Sequence, residues 1–113
     1  MDSILESIKK LLGIAEEYEQ FDTDIIIHIN TAFFKLNQIG VGPEEGFSIS
    51  DKSAAWDDFL SGSKNLEAVK TYVYLNVRLL FDPPLNSAVL ESMNNTINQL
   101  ECRLNIAADK SQN

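Results

Sequence analysis

Hydrophobic side chains recur at helical spacing along most of the chain, and the breaks fall where turn-forming residues cluster. Residues 2–12 place Ile4, Leu5, Ile8, Leu11 and Leu12 on one face, which predicts a helix. Ser3 or Asp2 suits its cap and Gly13 its end. An acidic connection follows, from Glu16 to Gln20. A second helix is expected from Asp22 as N-cap, with Asp24 in the first turn at the positive end of the helix dipole. Its stripe is Ile25, Ile29, Ala32, Phe33 and Leu36, while Ile26, Ile27 and Phe34 spread apolar surface around the cylinder. A helix apolar on so many sides belongs at the centre of a bundle or against a partner chain. Ile25-Ile26-Ile27 taken alone favours a strand, but the periodic run is long and Gly40 stops it.

The period breaks from Val41 to Lys52. Gly40, Gly42, Pro43 and Gly46 mark a long loop, within which Phe47 and Ile49 alternate with Ser48 and Ser50 as in a short extended piece. Asp51 or Ser53 is the expected cap of a short third helix carrying Ala55, Trp56, Phe59 and Leu60, ended by Ser61-Gly62-Ser63. A fourth helix is expected from about Asn65 to Phe81. Its stripe is Leu66, Val69, Val73, Val77 and Leu80, widened by Tyr72, Leu75, Leu79 and Phe81. Asp82-Pro83-Pro84 stops it, because proline cannot continue the helical bonding and restricts the residue before it. Asn86 or Ser87 caps a fifth helix, whose seam of Leu90, Met93, Ile97, Leu100 and Leu104 alternates steps of three and four residues, as coiled-coil seams do. The expected fold is all-α, a small bundle of about four to five helices with a long Gly-, Pro- and acid-containing loop between the second and third. Residues 1–106 read as one domain and 107–113 as a flexible tail.

Composition narrows the function. The 113 residues are 44% hydrophobic and 23% charged, an ordinary balance for one globular domain. Net charge is −8, and the excess lies in residues 1–63, since residues 64–113 carry five acids and five bases. Two arginines and seven scattered lysines make no basic stripe, which disfavours tight binding to nucleic acid or to an anionic membrane. Cys102 is the single cysteine, so no internal disulfide forms. No basic-then-apolar leader opens the sequence, and no apolar run nears the roughly 18 residues that span a bilayer. The expectation is a reducing intracellular compartment, in which the sequon Asn94-Asn95-Thr96 is a chance match.

Candidate chemistry is sparse. His28 lies one turn after Asp24, but no further His or Cys converges by spacing, so it reads as a structural histidine. Cys102 sits late in its helix, where the dipole disfavours a thiolate, and reads as a half-buried thiol. Glu44, Glu45, Asp51, Asp57 and Asp58 lack the alternation of a calcium loop and read as a solvated face. The loop glycines are not followed by the Lys-Ser or Lys-Thr of a phosphate loop. Trp56, Tyr72, Tyr74 and Phe81 lack nearby positive charge for stacking on bases. No catalytic residue, metal site or cofactor is expected. The apolar faces suit a protein that binds other protein copies.

Five stretches carry a family resemblance: Ile8-Lys9-Lys10-Leu11-Leu12-Gly13-Ile14; Phe21-Asp22-Thr23-Asp24-Ile25-Ile26 into His28-Ile29-Asn30; Gly40-Val41-Gly42-Pro43 with Gly46-Phe47; Trp56-Asp57-Asp58-Phe59-Leu60; and Val69 to Leu75 running on to Arg78-Leu79-Leu80-Phe81-Asp82-Pro83-Pro84. Over roughly residues 4–105 the chain resembles the small head–tail connector, or adaptor, proteins of tailed phages and prophages of Gram-positive bacteria. The resemblance implies a non-catalytic virion protein that forms a homo-oligomeric ring, of about twelve copies as cyclic closure allows, beneath the portal protein. Such a ring extends the DNA channel and docks a stopper or tail-completion protein, and the protein is in the host cytoplasm before assembly. An acidic wall would repel passing phosphates, and the glycine-containing loop would stay mobile until a partner orders it. The expected contact residues are Val41, Gly42, Pro43, Gly46 and Phe47 in the loop, and Leu90, Met93, Ile97, Leu100 and Leu104 in the last helix. The competing reading is a small acidic regulatory module that binds a host or phage protein.

Overall fold

The computed structural model describes residues 3–60 and 65–112, and it is an all-α bundle. The helices are α1 (Ile4–Leu12), α2 (Asp22–Gln38), α3 (Trp56–Phe59), α4 (Leu66–Phe81) and α5 (Ser87–Gln112). Among the described residues there is no strand, only an isolated antiparallel bridge between Ser3 and Ala55. No helix among them is long and apolar enough to cross a membrane.

Local chemistry sets most boundaries. Ser3 caps α1 by accepting the Glu6 N–H at 3.3 Å, and Gly13 closes it with its N–H on the Lys10 carbonyl. Asn86 caps α5 by accepting the N–H groups of Ala88 at 2.8 Å and Val89 at 3.2 Å. α4 ends at Phe81, before the two prolines. Two expected caps differ. Asp22 is the first residue of α2 and not its N-cap, because its carboxylate turns to Lys9. Asp51 folds back on the N–H and hydroxyl of Ser53, and α3 is instead started by Asp58, whose carboxylate accepts the Ala55 N–H at 2.8 Å. Asp2 and Ser61-Gly62-Ser63 lie outside the described residues. The backbone of α5 is helical through Gln112.

α2 is the centre of the bundle. It packs most broadly against α4, α4 packs against α5, and α1 touches both α2 and α4. Ile25, Ile29, Ala32, Phe33 and Leu36 of α2 meet Val69, Tyr72, Val73 and Val77 of α4, and Ile4, Leu5 and Ile8 close the third side. Burial of these apolar side chains is the main stabilising term, worth about 1.5–3 kcal/mol each before chain entropy is counted.

Polar groups buried with this core join helices, among them Asn76 of α4, which accepts from the Lys35 ammonium of α2 at 3.1 Å. Lys9 is 1% exposed, and its ammonium donates to the carbonyls of Glu16 at 3.0 Å and Tyr18 at 2.7 Å and pairs with Asp22 Oδ1 at 2.8 Å. Three donors thus meet three acceptors. The Tyr72 hydroxyl donates to Glu101 Oε2 at 2.7 Å, tying α4 to α5. Burial, then the hydrogen bond to Glu101 and its negative charge, push the phenol well above its ordinary value.

Replacing Lys9 by Met is expected to cost about 3 kcal/mol in denaturant unfolding, the low end for breaking a buried ion pair, since Asp22 keeps some solvent. A change under about 0.5 kcal/mol would show that the knot is dispensable. The Tyr72 shift sets an alkaline limit. A raised folded-state value means that its stabilisation is complete below the unfolded value of about 10 and declines as pH rises above it, by up to about 1.4 kcal/mol per pH unit. Urea midpoints followed up to about pH 11 should fall less steeply in Tyr72→Phe. Equal slopes would assign the decline to other groups.

Candidate interaction surfaces

The long loop 40–55 is built into the core. Val41 and Ile49 are buried, and Phe47 stacks edge-on against Phe33 at 5.0 Å and Phe59 at 5.3 Å. Phe33 lies 4.6 Å from Phe59 and 6.2 Å from Trp56, so one ring of α2 gathers three aromatics. Two asparagines of α2 hold the backbone. Asn30 receives the Ile49 N–H at 2.7 Å and donates to the Ile49 carbonyl at 2.9 Å, which imitates a strand partner. Asn37 donates to the carbonyls of Pro43 and Glu44. The extended segment expected at Phe47–Ile49 therefore pairs with a side chain, and no strand forms there. The expectation of a loop left loose for a partner does not fit these anchors.

Glycine is required at one point of this loop. Gly42 has φ of +90°, and a Cβ there would fall 2.3 Å from the Phe59 ring. Gly46 has φ of +93° but open space around it. Neither Asn30 nor Asn37 stood out in the sequence. The available signal was polar amides on an otherwise apolar helix, next to a loop that lacks other backbone partners.

The other expected contact residues divide. In α5, Ile97 and Leu104 are buried in the chain's own core and Leu100 packs against it. Leu90 and Met93 are half-buried and lie outside that cluster. In the loop, Gly42, Pro43, Gly46 and Phe47 keep partial exposure, whereas Val41 is buried. Asn105 of α5 donates to the Ile39 carbonyl at 3.1 Å and so seats the C-terminal half of α5 on the end of α2.

The candidate chemical groups stay apart. Among the described residues, no three His, Cys, Asp or Glu side chains gather to hold a metal ion. Cys102 is exposed, not half-buried, because its helix turns Leu104 and Ile97 inward. Asp51 sits below the usual carboxylate range through the hydroxyl and N–H of Ser53. Tyr72 and Trp56 are buried, and the Trp56 indole donates to Ser7 Oγ at 2.8 Å. Those two aromatics offer no stacking platform.

Three surfaces remain. On α2, Ile27 and Phe34 are 55% and 62% exposed and lie opposite its buried stripe. At the α4–α5 corner, Leu80, Leu85 and Val89 are exposed, with Leu90 and Met93 adjoining in sequence. Between α1 and α4 runs a groove of about 1310 Å³, with Leu11, Ile14 and Tyr74 among its apolar lining residues and Glu6, Glu16 and Lys10 among its charged ones. Glu6 is held above the usual carboxylate range, first by a hydrogen bond shared with Glu16, then by partial desolvation and by the charge of Glu16.

The model of one protein family, described as phage connector protein, matches residues 4–111 of the chain. No curated protein and no solved structure matches it.

The glycine geometry gives a differential expectation. Gly42→Ala should cost about 3 kcal/mol, from a left-handed backbone plus overpacking against Phe59. Gly46→Ala should cost only the backbone share, about 1 kcal/mol. Equal losses in thermal or urea unfolding would contradict the packing of the loop on Phe59.

Proposed function

The chain belongs to the phage connector protein family, and from that premise we propose that it is a head–tail adaptor. Copies form a ring under the portal protein, lengthen the DNA channel and offer a docking face for a stopper or tail-completion protein. The observation that carries this reading is the family match across residues 4–111, nearly the whole chain. The family is a structural one, and the role assigned here is correspondingly non-catalytic.

Two physical features support the finer reading. Net charge of −8 suits a wall along which phosphates slide, because like charge keeps the duplex from sticking. Large apolar side chains lie exposed on α2 and at the α4–α5 corner, as expected of a subunit that completes its packing against neighbours. Within this reading we assign contacts to the outer rim of the loop at Gly42, Pro43, Gly46 and Phe47, and to Leu90 and Met93. The protein resides in the host cytoplasm before assembly and in the virion afterwards.

Quantitative mass spectrometry of phage particles purified after induction tests the proposal. About a dozen copies per particle, the ring size that the family resemblance implies for a closed cyclic assembly, is the expected result. Abundant protein in the lysate with none in particles would overturn it in favour of an acidic regulatory module.

A further inference from the structure

The groove between α1 and α4 holds two carboxylates that their own chain leaves unmatched. Glu6 and Glu16 line it within hydrogen-bond reach of each other, and the charge of Glu16 opposes ionisation of Glu6. Among the described residues neither forms an ion pair. Lys9 and Lys52 act on Glu6 only from a distance, and Lys9 is committed to Asp22 and two carbonyls. Lys10 lines the groove but pairs with neither. On the α4 wall Glu67 is already matched, 3.6 Å from Lys70. Beside the two carboxylates lie Leu11, which is 54% exposed, and Ile14 and Tyr74. This groove suits a guanidinium with an apolar side chain next to it, because the planar fork bonds carboxylates and packs on an aromatic ring.

The outer face of α5 carries both features. Gln99, Cys102, Arg103 and Ile106 fall on one helical face, and all four are exposed. Arg103 forms no ion pair among the described residues, and Ile106 one turn later is 49% exposed. The other cations are engaged or lack an apolar companion. Lys35 donates to Asn76, Lys70 pairs with Glu67 and Arg78 with Asp82, while Lys52 is flanked by Asp51 and Ser53. Among the described residues outside the groove, Arg103 with Ile106 is thus the pair that supplies a free cation and an exposed apolar side chain together.

The two features cannot meet within one chain. Glu67, Thr71 and Tyr74 put the groove on one face of α4. Tyr72, which holds Glu101 of α5 at 2.7 Å, stands about 100° or more around that helix from each of them. Arg103 follows Glu101 by two residues, about 200° around α5, and so faces away from α4. A site and its complement at different places on one surface pair head to tail, and such contacts close into rings when the rotation permits. We propose that Arg103 of one copy enters the α1–α4 groove of the next at Glu6 and Glu16, with Ile106 against Leu11, Ile14 and Tyr74. The contact gives a chain of charge −8 an attractive route to self-association. The inference rests on the ring-forming reading above and names its subunit contact.

Entry into particles, measured by quantitative mass spectrometry, tests it. Arg103→Gln should enter at least about tenfold less than wild type, and so should the double change Glu6→Gln with Glu16→Gln, because each leaves a docked charge without its partner. Melting temperatures should not fall, since Arg103 is exposed and the glutamate changes remove a repulsion. Combining all three substitutions should lose no more than either set alone, because both sets break the same contact. Losses that multiply, or wild-type entry of either set, overturn the inference. Cross-linking gives a second readout. Ala15 is exposed in the groove next to Glu16, and Cys102 adjoins Arg103. In particles, Ala15→Cys should give a ladder of covalent oligomers with the native Cys102 on mild oxidation, lost on reduction and in Cys102→Ser, because disulfides need Cα atoms within about 7 Å. Particles that contain this variant but yield no ladder overturn the contact and leave the adaptor reading standing. Absence of the wild-type chain from particles overturns both readings.

Discussion

The ammonium of Lys9 lies inside the bundle with three protons to place, and the chain from Glu16 to Asp22 is shaped to receive them. An unmet charge at that depth would cost several kcal/mol. The connection after α1 therefore curls so that two of its carbonyls point inward, and α2 begins where its first carboxylate completes the set. That curl brings Tyr18 and Phe21 together at 5.5 Å and sets Phe21 edge-on to Phe81 at the end of α4. One charge thus joins the exit of α1, the entry of α2 and the end of α4. The groove beside α1 follows from the same turn, because residues 13–16 form one end of it.

A second constraint organises the other side. Phe33 points from α2 into a set of rings supplied by the loop and α3, and the loop reaches it only because Gly42 leaves room for Phe59. Asn30 and Asn37 then satisfy loop backbone groups that would otherwise be left unpaired close to the core. A segment without regular secondary structure is in this way tied to α2 by side-chain hydrogen bonds and ring contacts. It extends the apolar core of a small domain, which has few helices with which to build one.

Function in such a protein resides in what the core leaves uncovered. α2 is central, yet Ile27 and Phe34 on its outer face are more than half exposed, and the α4–α5 corner carries apolar side chains into solvent. Exposed apolar positions of this kind are the ones through which a protein meets a partner. The negative charge acts over longer range and opposes association with nucleic acid.

Helix number, order and most ends were legible in the amino-acid sequence, because they depend on period, caps and prolines within a few residues of each other. Ser3, Gly13, Asn86 and Pro83-Pro84 act where their spacing predicts. The connector resemblance was legible for a similar reason, since short stretches spread over the chain carry it. What only the tertiary structure decided were the partners of side chains distant in sequence. Asp22 reads as a cap until Lys9 takes its carboxylate, and Asp51 reads as a cap until Ser53 does. Glycines and acids suggested a loose loop, and Asn30, Asn37 and Phe33 from another element pinned it. The seam of α5 was visible as a period, but whether it met α4 or another copy depended on the Pro83-Pro84 turn. With that turn made, Ile97 and Leu104 enter the chain's own core and Leu85 is left outside. A period states which residues share a face, and only the packed chain states what that face meets.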